Sequence, residues 1–124
     1  MPLIRLSITQ ELTPEKREAL LSGLGEAMST VPGKDARYLI VDLEEGKTMY
    51  MAGQKQEDMA FADVQYFSNF SYQIKKEFTA AAFDAMNKAL GTSKEKMFLT
   101  ITERNNWGAF GDFRDEYYSE EKPT

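Results

Sequence analysis

The chain has 124 residues, a net charge of −5, and apolar and charged fractions of 42% and 28%, the proportions of one globular domain with a single modest core. The acidic balance argues against a nucleic-acid partner, which needs a basic face to neutralise phosphates. Cysteine and histidine are both absent, which excludes a disulfide framework, a thiolate nucleophile and an imidazole base, and leaves a metal site without its usual ligands. No stretch approaches the ~20 apolar residues of a membrane span and the start lacks a leader pattern, so a cytoplasmic protein with no membrane partner is expected.

Pro2 opens an alternating stretch, Pro2-Leu3-Ile4-Arg5-Leu6-Ser7-Ile8, that predicts a first strand over about 2–8. Proline there has a plain structural use, since it fixes φ and leaves no N–H unpaired at a strand start. Removal of Met1 would also make it a secondary amine. An α-amine has a pKa of ~7.7–8.0, and an apolar site lowers it by penalising the ammonium, which yields a base at neutral pH.

Thr13-Pro14-Glu15 reads as an N-cap, a proline at the first helical position and an acid suited to the helix dipole. Leu20, Leu21, Leu24, Ala27, Met28 and Val31 then recur as one helical stripe, with Gly23 and Gly25 weakening the helix where it packs closely on a sheet. Val31-Pro32-Gly33 ends it, and Tyr38 to Leu43 reads as a second strand.

The same order returns in the second half. Ala60 to Phe67 alternates as a strand, about Phe70 to Leu90 carries a helical stripe stopped by Gly91, and Met97 to Thr102 is the closing strand. The halves share no convincing residue-by-residue identity. Two β-α-β units with right-handed crossovers give an α+β two-layer sandwich: a four-stranded mixed sheet with two helices on one face. With Leu39, Val41, Leu43, Met97, Leu99 and Ile101 toward the helices, Ile40, Phe61, Phe67 and Phe98 point to a face that no helix covers. Such a face marks a partner surface, so an oligomer is expected.

The Met-Pro start, Gly33-Lys34 before a Tyr-Leu-Ile-Val strand, the Met49–Gly53 loop, the stretch Ala-Phe-Ala-Asp-Val-Gln-Tyr-Phe-Ser and the Asn106-Trp107-Gly108 segment together carry a resemblance. Over residues 1–113 the chain resembles the tautomerase superfamily, in the branch of macrophage migration inhibitory factor. Residues 114–124 lie beyond that likeness and read as an acidic C-terminal tail.

The resemblance implies a homotrimer with sites between subunits and a processed proline that moves a proton between carbon and oxygen of a keto acid, without a cofactor or metal. Pro2 takes the catalytic role in this reading. Lys34 suits the substrate carboxylate, and Phe67 and Ser68 fall where the family presents an apolar wall and a backbone N–H. Phe98 and Thr100 stand in place of a tyrosine and an asparagine, which removes a phenol donor. Asn106 and Trp107 fall in a loop at the pocket rim, Asn105 could donate an amide hydrogen bond, and Arg104, ahead of Arg37, could clamp a carboxylate.

Three functions fit. The leading one is keto–enol tautomerisation of a phenylpyruvate-like 2-oxo acid. The others are decarboxylation or hydration of a small acid by the same proline, and a non-enzymatic interaction protein in which Phe98 marks a decayed site.

Overall fold

The structure of the protein is a computed structural model and describes residues 2–118. In chain order the elements are β1 (Pro2–Ile8), α1 (Pro14–Met28), β2 (Ile40–Glu44), β3 (Tyr50–Met51), β4 (Gln54–Lys55), β5 (Ala60–Phe67), α2 (Tyr72–Leu90), β6 (Met97–Arg104), β7 (Asn106–Ala109) and β8 (Asp112–Asp115). The main sheet runs β2-β1-β5-β6. β1 is parallel to β2, β5 is parallel to β6, and β1 and β5 meet antiparallel at the centre. This is the mixed sheet under two helices that the sequence predicts.

Alternation along the central strands makes the two layers. Ile4, Leu6 and Ile8 of β1 and Ala60, Ala62, Val64 and Tyr66 of β5 are buried against Leu20, Leu24 and Met28 of α1 and Phe78, Ala82, Met86 and Leu90 of α2. Their outward neighbours stay open: Ile40 is 53% exposed, Phe61 45% and Phe98 37%. Phe61 and Phe98 lie opposite each other across β5 and β6 and stack at 6.5 Å.

Both helices begin at a side-chain cap, the first at the expected Thr13. The Thr13 side chain accepts from the Lys16 N–H and the Ser71 side chain from the Ile74 N–H, each satisfying a donor that the first turn leaves free. Gly91, at φ +74°, ends α2. Other expectations need correction. Tyr38 closes a 3-10 turn, Ala36–Tyr38, so β2 starts only at Ile40. Ser71 caps the second helix, which starts it at Tyr72 rather than Phe70. Leu21 faces solvent, because the buried side of α1 is centred on Leu20 and Leu24. Gly23 serves the helix pair and not the sheet: a Cβ there would stand 2.9 Å from that of Ala85 in α2.

The duplication is tighter than residue identities suggest. A shift of 58 residues carries Gly33 onto Gly91 (φ +76° and +74°), Thr13 onto Ser71, and the 3-10 turn Ala36–Tyr38 onto Lys94–Lys96. It also superimposes two polar staples. Glu45 accepts from the Leu12 N–H (2.6 Å) and from Arg17 (2.8 and 3.0 Å). Glu103 accepts from the Phe70 N–H (2.7 Å) and from Lys75 (2.9 Å). In each half a carboxylate at or just past the end of the last strand pins the entry of the helix.

Two short hairpins complete the chain. β3–β4 turns through Ala52 and Gly53, and β7–β8 through Phe110 and Gly111. All four residues have positive φ, the backbone of a tight two-residue hairpin turn. Phe110 meets the Tyr38 ring edge-on at 6.0 Å. β8 runs across the expected 113/114 boundary, and Glu116 follows it directly. Residues 119–124 of the expected tail lie outside the described residues. No helix among the described residues is long and apolar enough to cross a membrane.

Candidate active site

Pro2 is buried at the start of β1, opposite Tyr66 of β5. Tyr66 is fully buried, and its hydroxyl donates to Glu103 at 3.0 Å. Burial, reinforced by the Glu103 carboxylate, pushes the phenol well above its ordinary pKa, so it stays neutral and acts as a fixed apolar wall with a tethered hydroxyl.

Lys34 reaches the same wall from the turn after α1. Gly33, in the left-handed region, lets the chain reverse there, and the Lys34 N–H closes the turn on the Val31 carbonyl at 3.0 Å. The ammonium donates to the Phe67 carbonyl at 2.7 Å and stands 5.7 Å from the centres of the Tyr66 and Phe70 rings. Burial lowers its pKa from the usual lysine value, and the nearby Glu116 charge opposes that shift. Pro2 and Lys34 therefore both border Tyr66: one holds the nitrogen, the other a half-buried cation.

The corner after β5 is strained and heavily tied. Ser68 has φ +88°, a conformation costly for a residue with a Cβ. Its N–H donates to the Arg104 carbonyl (2.8 Å) and its hydroxyl to Glu116 (3.0 Å). Asn69 donates to Glu116 (3.3 Å) and Asn105 (3.2 Å), and the Glu116 N–H donates to the Asn105 carbonyl (2.7 Å). These bonds hold the corner so that the Phe67 carbonyl faces Lys34.

Against the sequence expectations, the Ser68 N–H is already engaged by Arg104 and does not present itself to a ligand. Asn105 accepts from Asn69 through its side-chain oxygen, which leaves its amide N–H groups as donors. The Arg104 guanidinium turns to Gln65 at 3.4 Å, and Arg37 is held by Asp35 at 2.8 Å. Asn106 and Trp107 belong to strand β7, paired with Asp115 and Arg114, and not to a loop. The Trp107 side chain is half-buried.

Phe98 is far from Pro2 within one chain. The register places it level with Phe61 and Ser7, and from Pro2 to Ser7 along β1 is roughly 17 Å at about 3.4 Å per residue. A cleft of about 540 Å³ opens on the helix side, lined by Leu21, Gly25, Leu39 and Val41 among others, and contains none of the expected site residues. Tyr66, Phe70, Glu103 and Glu116 are the contributors that the sequence did not reveal. The signal for Glu103 was available in the 58-residue shift, which aligns it with Glu45.

No family profile and no curated protein matches the sequence. Solved structures do match in shape. MIF2 of Leishmania major superimposes with a TM-score of 0.82 at 18% identity, covering 92% of this chain and 97% of its own. Pt0534, solved after inactivation by 2-oxo-3-pentynoate, gives 0.79 at 19% identity over 88% and 93%. A fused 4-OT solved as a symmetric trimer gives 0.75 at 22% over 82% and 85%. With these neighbours, the paired β-α-β units and the central antiparallel seam, the chain has the fold of the tautomerase superfamily, in the form taken by macrophage migration inhibitory factor.

Proposed function

We propose that the protein is a keto–enol tautomerase of a phenylpyruvate-like 2-oxo acid, with the amine of Pro2, freed by removal of Met1, as general base. The observation that carries this reading is the convergence of Pro2 and Lys34 on the buried Tyr66. A neutral amine takes a proton from C3 of the keto acid, the C–H electron pair forms the enol double bond, and the carbonyl oxygen receives a proton. The reverse path returns the keto form. Lys34 exchanges the Phe67 carbonyl for the substrate carboxylate, a stronger charge-assisted partner. Burial of the nitrogen among apolar side chains favours its neutral form.

The protein is a homotrimer in this proposal. The uncovered Ile40, Phe61 and Phe98 supply the apolar face that closes it, and Phe98 reaches a Pro2 pocket only from a neighbouring subunit. The symmetric trimer seen for the fused 4-OT supports the assembly by analogy of fold.

The test compares protein lacking Met1 with protein retaining it. The first should interconvert the phenylpyruvate tautomers with a rate that rises with pH through the amine pKa and then levels. Protein retaining Met1 has an amide nitrogen and should lose roughly 10²–10⁴-fold in rate, the usual contribution of a positioned base. The compound that inactivates Pt0534 offers a second readout: 2-oxo-3-pentynoate should label the amine of processed protein only, as seen by intact mass and peptide mapping. Equal rates with and without Met1 would remove Pro2 from the mechanism.

A further inference from the structure

Glu116 stands where a second acid belongs by the symmetry of the chain. The 58-residue shift carries Asp58 onto Glu116, Gln10 onto Ser68, and Lys34 onto Thr92. At the first of these corners Asp58 accepts from Gln10 (3.0 Å) and Thr92 (2.7 Å) and is closed. At the second, Glu116 accepts from Ser68 and Asn69, but Lys34 donates to the Phe67 carbonyl instead. One carboxylate thus sits beside the half-buried ammonium of Lys34 without a direct bond to it.

We infer that Glu116 sets the charge of the substrate that this site admits, accepting a 2-oxo monocarboxylate and rejecting its dicarboxylate counterpart. The inference rests on the proposal that Lys34 binds the substrate carboxylate. A single carboxylate replaces the Phe67 carbonyl on Lys34 and is balanced by it. A second carboxylate would meet the negative charge of Glu116 beside the same ammonium. Lys75 is committed to Glu103, and Arg104 is turned to Gln65 on the outer sheet face. The hydroxyl of Ser68 and the amide of Asn69, donors that could hold a second carboxylate, are taken by Glu116 itself. The pull of Glu116 on the Lys34 ammonium is of the same origin.

The experiment measures binding rather than turnover, on the full processed chain, with 3-phenylpropanoate and 3-(4-carboxyphenyl)propanoate. These probes differ by one carboxylate and carry no ketone, so their binding is independent of the tautomerase step. The native protein should prefer the monocarboxylate by about tenfold, the scale of one like-charge contact near a protein surface, and salt should shrink the preference. Glu116→Gln should bring the two affinities to within about twofold, Glu116→Asp should keep the preference, and Lys34→Ala should weaken both probes. Thermal midpoints check that each variant is folded. An unchanged preference in folded Glu116→Gln overturns the inference. Unchanged binding of both probes in Lys34→Ala overturns it together with the role of Lys34. Lack of tautomerase activity with the charge preference intact overturns the proposed function alone.

Discussion

At one corner of the sheet Lys34, Ser68 and Glu116 meet; at its symmetry mate, 58 residues away in each position, Thr92, Gln10 and Asp58 do. The second corner is closed. Gln10 donates to Asp58, to the Leu90 carbonyl and to Thr92, and Thr92, 1% exposed, donates to Asp58. Every member has a partner, as buried polar groups require. The first corner has an acid in the matching place, Glu116 for Asp58, but a long cation stands where the short hydroxyl would be, and the cation rests on the Phe67 carbonyl. The strand starts differ in the same sense. Ala60 is a buried residue inside the chain, whereas Pro2 has a nitrogen that becomes basic once Met1 is removed. The duplicated framework supplies stability twice and, in this proposal, chemistry once.

Exchanging Lys34 for the residue at its mate position is the largest break of that contrast. Lys34→Thr should raise KM for a 2-oxo acid by roughly 10–100-fold, the loss of one hydrogen bond to a charged group, with a smaller fall in kcat because Pro2 remains. Steady-state kinetics on the processed protein decide it. An unchanged KM would show that Lys34 is only a tether for the Phe67 carbonyl.

Thr92→Val breaks the other corner. It keeps the shape but leaves Asp58 and Gln10 short of a partner in a nearly dry place, which should cost about 1–3 kcal/mol of stability and leave KM unaltered. Denaturant unfolding together with kinetics tests both halves of that statement. A change in KM without a change in stability would reverse the assignment of the two corners.

How much of this the sequence shows follows from what each feature depends on. Caps and breakers act locally, so Thr13-Pro14 and Gly91 mark helix ends from their own chemistry, and alternation over 60–67 reveals a strand because its period is fixed by the backbone. Tyr38 is rich in strand character, yet the Asp35 side chain accepts from the Arg37 N–H and winds that segment into a 3-10 turn. The site corner is the opposite case. Ser68 takes its strained conformation from Arg104 and Glu116, more than thirty residues on, and Trp107 is drawn into a hairpin by the turn at Phe110-Gly111. The repeat itself was visible only in outline, because its halves conserve caps, staples and burial rather than residue identity.

The smallest expected effect compares the two staples with each other through pH. Glu45 is held below the ordinary carboxylate range chiefly by the Leu12 N–H, with Arg17 adding to it against some desolvation. For Glu103, burial alone would raise the pKa, but Lys75, the Phe70 N–H and the Tyr66 hydroxyl together bring it below that range. A carboxylate with a depressed pKa in the folded state adds stability that is fully present above its unfolded pKa, ~4.3, and lost as pH falls through the lower folded value. Both staples should therefore weaken on the acid side only. Glu45→Gln and Glu103→Gln should each flatten part of the decline in thermal midpoint below about pH 4.5, starting from a lower midpoint at neutral pH. The two variants then diverge. Glu45 serves only its helix entry, so Glu45→Gln should leave the neutral-pH KM for a 2-oxo acid alone. Glu103 also holds the hydroxyl of Tyr66, the wall that Pro2 and Lys34 share, so Glu103→Gln should raise that KM modestly, about two- to fivefold for one loosened hydrogen bond. Equal kinetics in the two variants would mean that Tyr66 is held by packing against Phe70 and the core, and that the staples are equivalent in function as well as in position.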